Sequence, residues 1–164
     1  MGRLKPLLTG LVLGGVFTCS HSNVLAVPVP LEAVTIADIN KAFKAGTLSS
    51  EQLVQMYLKR IEAFDEQGPK INSVITLNPK ALELARELDV ERQKKGPRSP
   101  LHGIPVVLKD NFDTTDMPTT GGSILLEGSI PPDDAFLVKK LRDAGAIILA
   151  KVNLSEFASG GAHS

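Results

Sequence analysis

Only one cysteine, Cys19, occurs in the 164 residues, and it lies in the first stretch of the chain. Without a second thiol no intramolecular disulfide can staple the fold. Charge of neither sign is in surplus, with 18 Lys and Arg against 18 Asp and Glu. No basic excess invites nucleic acid, and no acidic block reads as a disordered tail. Long apolar runs are missing too: Leu7 to Phe17 is uncharged but well short of the roughly 20 residues that a spanning helix needs. No G-x-G-x-x-G or Walker loop is present, which leaves nucleotide binding with little support. His102 and His163 lack HExxH-like spacing and have no cysteine to help them. No metal site and no cofactor are therefore expected.

What the first 26 residues do contain is a processing signal. Arg3 and Lys5 form a positive start, the apolar stretch follows, and Val24 and Ala26 supply small residues at −3 and −1 of a cleavage site after Ala26. This is the pattern of a secretory signal peptide. It predicts a secreted or periplasmic protein with no stable membrane anchor once the signal is gone. Cys19 would leave with it. Val27-Pro28-Val29-Pro30 reads as a short extended linker, so the organisation is a signal at 1–26, a linker at 27–34 and a globular region at 35–164.

Beyond the linker, periodicity alternates between helix and strand. Thr35 can cap a helix with Ile36, Ile39 and Phe43 on one side, ended by Gly46. Ser49 or Ser50 starts a second, with Leu53, Tyr57, Ile61 and Phe64 at helical spacing before Gly68-Pro69. Ile71 to Leu77 reads as a strand, and Asn78-Pro79 opens a helix showing Leu82, Ala85 and Leu88, closed by Gly96-Pro97. Ile104 to Lys109 is a nearly apolar strand. Asp133 or Asp134 caps a helix that places Phe136, Leu137, Leu141 and Ala144 inward, and Ala146 to Val152 is a second apolar strand. Continuous apolar strands joined by helices indicate an α/β fold in the order ααβαβαβ, with parallel pairing in a sheet covered on both faces. The side of the Ala146 to Val152 strand is expected to lack sheet neighbours.

In such sheets sites gather beyond the carboxyl ends of strands. Lys109 and Lys151 both qualify, since a lysine drawn to the edge of a buried sheet is desolvated and can then take a proton from a hydroxyl. A salt bridge, with Asp110 as the adjacent acid, is the alternative for either. Thr119-Thr120-Gly121-Gly122-Ser123 and Ser159-Gly160-Gly161 can cradle an anion through backbone N–H groups. Ser123 lacks the G-x-S-x-G frame of a nucleophile, and a Ser–His–Asp triad through His163 has nothing in its favour.

The run Leu101-His102-Gly103-Ile104-Pro105-Val106-Val107-Leu108-Lys109-Asp110-Asn111 closely resembles the lysine motif of the amidase signature family. Met117 to Ser123, Asp133-Asp134-Ala135 and Ala144 to Phe157 are similar to that family's following segments, in order. The resemblance covers residues from about 35 to 164. It implies a Ser–Ser–Lys hydrolase on a mixed, largely parallel sheet wrapped by helices, of which this chain is an N-terminal portion with the sheet incomplete. The family's lysine matches Lys109, not Lys151. Its bridging and nucleophilic serines fall in a Gly/Ser-rich stretch beyond the Asn-Leu-Ser-Glu-Phe segment, so Ser123 and Ser164 match neither. Asp110, Asn111, Asn153, Ser155 and Glu156 match positions on the active-site side, with Gly121 and Gly122 in a turn nearby.

The expectation is an amidase acting on a small-molecule or peptide amide through an acyl-serine, inactive as this stretch alone. The runner-up is a secreted non-catalytic α/β module that binds a ligand or partner. Oligomeric state is not legible. Expressed in a Gram-negative host, the protein should lose its first 26 residues and leave the cytoplasm. Mass spectrometry of the N-terminus checks this, and an uncleaved cytoplasmic product overturns it.

Overall fold

The computed structural model describes residues 30–158. The expected signal peptide, residues 27–29 of the linker and the segment from Ser159 onward lie outside the described residues. The rest of the linker, residues 30–34, forms a turn in which the N–H groups of Ala33 and Val34 reach the Pro30 carbonyl. Leu31 and Val34 pack against the first helices.

Local chemistry explains the helices best. Helix α1 (Ile36–Ala45) starts at Thr35, whose hydroxyl accepts from the Asp38 N–H while the Asp38 carboxylate takes the Thr35 N–H. This reciprocal box satisfies two of the donors that a helix start leaves free. Ser49 and Gln52 repeat it for α2 (Ser50–Ile61), which runs on into a π-helical turn, Glu62–Glu66. The start of α2 has a second anchor: Asp89, on α3 (Ala81–Lys95), accepts from the Ser50 and Glu51 N–H groups at 2.9 and 3.1 Å. Helix α3 begins two residues later than Asn78-Pro79 suggests. Asn78 is buried, with its amide donating to the Ile148 carbonyl and its N–H to that of Leu149, while its Oδ1 accepts from the Lys80 N–H just before the helix.

The sheet has three strands, β1 (Val74–Leu77), β2 (Pro105–Lys109) and β3 (Ile147–Val152), in the spatial order β1-β3-β2. β2 and β3 are parallel, as expected. β1 corrects the expectation drawn from the apolar strands: it is shorter than Ile71–Leu77 and pairs antiparallel to β3, which makes the sheet mixed, as the family resemblance implies. β3 is also the central strand, so its neighbours are both present, and the open edges belong to β1 and β2. Apolar composition reports that a strand is covered, but not its direction or place in the order.

Ile147 and Leu149 of β3 pack with Val54, Ala81, Ala85 and Leu88, under α2 and α3. Ile148 packs with Leu108, Met117 and Val138, under α4 (Phe136–Asp143). The face of α4 differs from the expected one. Val138 is fully buried, whereas Phe136 is 77% exposed and Leu137 is 48% exposed. Neither Asp133 nor Asp134 caps this helix. Asp134 instead accepts from the Thr115 N–H and lies 2.9 Å from Arg142 Nε. That approach is an ion pair without a hydrogen bond of good geometry.

The His102-Gly103 step is set by packing. His102 is fully buried; Nδ1 accepts from the Arg98 N–H, so Nε2 carries the proton and donates to the Leu88 carbonyl at 2.8 Å. Gly103, at φ +79°, sits where a Cβ would collide with Ser50 Oγ and the Arg92 guanidinium. Arg92 in turn bonds Asp89, Ser50 and the His102 carbonyl, and lies 4.1 Å over the Phe43 ring. Gly103→Ala should therefore cost about 3 kcal/mol or more, through both overlap and the left-handed backbone, measured as a fall in the urea midpoint.

Asp65, buried at the end of the π turn, accepts from the Ser73 hydroxyl and from the N–H groups of Ser73 and Val74. The Ser73 hydroxyl is the chief cause that holds its carboxyl below the ordinary aspartate range. Because the folded value is the lower one, the carboxylate's contribution to stability is complete above about pH 4 and disappears as pH falls through the lowered value. Asp65→Asn should lower Tm at pH 7, and the gap to wild type should narrow as pH falls through the lowered value.

Candidate active site

The parallel pair β2–β3 brings two carboxyl ends together, with Lys109 opposite Val152 and Leu108 opposite Lys151. Here the two lysines part company. Lys109 is exposed, which corrects the expectation of a lysine desolvated at the sheet edge, and among the described residues no hydrogen bond or ion pair engages its ammonium. It alternates with Leu108, which is buried toward Met117 and Val138, so its side chain leaves β2 from the opposite face. Lys151 is fully buried. Its Nζ donates to Thr119 Oγ1 at 2.7 Å and to the Pro118 carbonyl at 3.1 Å, and stands 3.0 Å from Asp110 Oδ1. For Lys151 the salt-bridge alternative is the one realised.

Asp110 is equally buried. Its Oδ2 accepts from the N–H and hydroxyl of Thr120. Oδ1 receives no hydrogen bond of good geometry, so its contact with Lys151 is Coulombic at close range rather than a directed bond. The backbone of Asp110 is tied as well: its N–H donates to the Val152 carbonyl and its carbonyl accepts from the Gly121 N–H.

These bonds join three segments that sequence alone could only list. The 109–111 segment meets the Gly121-Gly122 turn through Asp110, and the Gly121 carbonyl accepts from the Phe157 N–H at 2.6 Å. Asn111 and Asn153 are exposed and Ser155 is half-buried. Asn153 Oδ1 accepts from the Leu154 N–H, and the Ser155 carbonyl accepts from that of Ala158. Glu156 opens the short irregular turn Glu156–Ala158. All the expected site residues thus stand at one end of the β2–β3 pair, with Lys109 the one exposed cation among them.

The anion cradle expected at 119–123 is not available. The Gly121 N–H is bound by Asp110, that of Gly122 by Thr120 Oγ1, and that of Ser123 by the Thr120 carbonyl. Ser123 itself is buried in this turn. What can act here is therefore the lysine, as acceptor or donor of a proton. No group of three or more His, Cys, Asp or Glu capable of holding a metal occurs among the described residues, and no helix among them is long and apolar enough to cross a membrane. A groove of about 820 Å³ lined by Asn40, Phe43, Lys44, Arg92 and Pro97 lies elsewhere and contains none of these residues.

Comparison with known proteins fits this geometry. The profile of the Amidase family matches residues 52–164. The chain belongs to this amidase signature family. It is 43% identical over 144 residues to a Schizosaccharomyces pombe protein named as an amidase, covering 85% of this chain and 24% of that one. It is 43% identical over 126 residues to a glutamyl-tRNA(Gln) amidotransferase subunit of Halorhodospira halophila, covering 77% of this chain and 25% of that one. The peptide amidase of Stenotrophomonas maltophilia superposes with a TM-score of 0.76 at 50% identity, over 80% of this chain and 27% of that one. The chain thus spans about a quarter of the length of these relatives.

Lys151→Met should cost about 3–5 kcal/mol, because it strands the Asp110 charge in the interior. The pair Lys151→Met with Asp110→Asn should recover most of that loss. Urea unfolding of the two variants checks the prediction, and equal midpoints for both would contradict it.

Proposed function

We propose that this chain carries the catalytic base of a serine-dependent amide hydrolase, and that the base is Lys109. The observation that supports it best is the contrast between the lysines. Lys151 is consumed by a buried ion pair, while Lys109 stands exposed at a strand end, at the position that matches the family's lysine. Asn111, Asn153, Ser155 and Glu156 border the same strand ends and are assigned supporting roles.

In this reading the lysine amine takes a proton, through a bridging serine, from the nucleophilic serine. The serine oxygen adds to the carbonyl of the amide, the C–N bond breaks, and the relayed proton leaves on the nitrogen. Water then cleaves the acyl-serine to the free acid and restores the serine. The serines are those of the Gly/Ser-rich stretch that the family carries beyond the segment matching Asn153 to Phe157. Backbone N–H groups stabilise the oxyanion in such chemistry, and because those of Gly121, Gly122 and Ser123 are already engaged, that role falls to other residues.

The substrate proposed is a small-molecule or peptide carboxamide. The likeness to a peptide amidase supports the peptide end of that range. The signal-like pattern of residues 1–26 supports a reaction outside the cytoplasm. In protein expressed from the complete gene, Lys109→Ala should lower kcat for amide hydrolysis by about 10²–10⁴-fold or more with the Tm little changed. Full activity in a folded Lys109→Ala protein would remove the assignment.

A further inference from the structure

We infer that the buried Asp110–Lys151 pair, with Thr119 and Thr120, is a positioning device for Lys109; the inference rests on reading Lys109 as the base. Lys109 has no side-chain partner among the described residues to aim it, so the direction of its stem is set by its backbone. That backbone is followed immediately by the most heavily fixed residue of the region. Asp110 is held at both main-chain groups, by the Val152 carbonyl and the Gly121 N–H, and at its carboxylate by Thr120 and Lys151. Lys151 is itself pinned by Thr119 Oγ1 and the Pro118 carbonyl.

The arrangement converts a fixed pair of charges into a fixed peptide. A charge pair taken out of water cannot relax without leaving one partner unsatisfied. Any rotation that swings the 109–110 peptide would drag the Asp110 carboxylate away from Lys151 and Thr120. The same carboxylate holds the 118–122 loop by way of Thr120, so the loop and the lysine share one origin. Neither Asp110 nor Lys151 is solvent-accessible, so neither touches substrate, and both act through Lys109. Misplacing a reacting group by about 1 Å can cost on the order of 10²-fold in rate. That is the scale of loss a positioning role predicts, and it falls on kcat rather than KM.

The test uses protein expressed from the complete gene, with two sets of variants. Asp110→Asn with Lys151→Met removes both charges together, and should give a folded protein whose kcat is at least 30-fold lower while KM stays within about threefold. Thr120→Val, isosteric but without the hydroxyl, should lower kcat about tenfold. Thr120→Ser, which restores the hydroxyl, should return it to within threefold of wild type. Titration of active sites with a serine-directed phosphonate separates positioning from mere folding. An unchanged site count with a lower rate per site supports the inference, whereas fewer sites at an unchanged rate per site overturns it. Wild-type kcat in a folded double variant, or Thr120→Ser no better than Thr120→Val, also overturns it. Lys109→Ala run alongside keeps the two readings apart. If it retains the wild-type rate, the assignment of the base falls; if it is inactive while the double variant keeps the wild-type rate, only the positioning role falls.

Discussion

A lysine ammonium and an aspartate carboxylate, 3.0 Å apart and both shut off from solvent, set the shape of the carboxyl end of the sheet. Each charge would be costly there alone, because the interior offers no water to replace the missing partner. The cost is offset only if both are held, so neighbouring groups are recruited: two threonines, a proline carbonyl and the end of β3. The loop after β2 takes its path from those bonds, and so does the turn at Gly121. Replacement by apolar residues of similar volume could match such a pair in stability, but not in the direction it gives to a backbone.

A second polar knot does similar service at the opposite end of the domain. Asp89 and Arg92 of α3 reach the start of α2, the His102 carbonyl and the ring of Phe43. Both knots explain residues that a motif search would credit to chemistry. His102 and Gly103 belong to the same run of residues as Lys109, yet one is a buried hydrogen-bonding strut and the other leaves room for a guanidinium. Much of that motif encodes how β2 is seated, and comparatively little of it encodes reaction.

What was legible in the sequence follows the range of the interactions involved. Thr35, Ser49, Gly46 and Gly96 announce helix ends, because their partners lie three or four residues away. Position at a strand end singled out Lys109 and Lys151 alike, and only the family resemblance preferred Lys109. The exclusive pairing of Asp110 with Lys151, rather than with its chain neighbour Lys109, spans 41 positions and depends on strand register. Asp89 as a remote cap for α2 was invisible for the same reason. Helix α4 misled differently: over eight residues the pattern Phe136, Leu137, Val138, Leu141 fits two faces, and only packing on Ile148 selects Val138. Strand direction failed for β1 because a short apolar run is the same read forward or backward against its partner.

The spatial order β1-β3-β2 has a bearing on how the chain comes into being. The central strand is the last of the three to be synthesised, and β1 and β2 do not touch each other. Until residues 147–152 emerge, neither earlier strand has a partner in this sheet, and the chain can settle only its capped helices. More than 40 residues separate β2's start from that moment of closure. During that interval the acidic half of the buried pair has already been made and its counter-charge has not, so Asp110 remains hydrated. Sheet closure and charge neutralisation are thus a single late event.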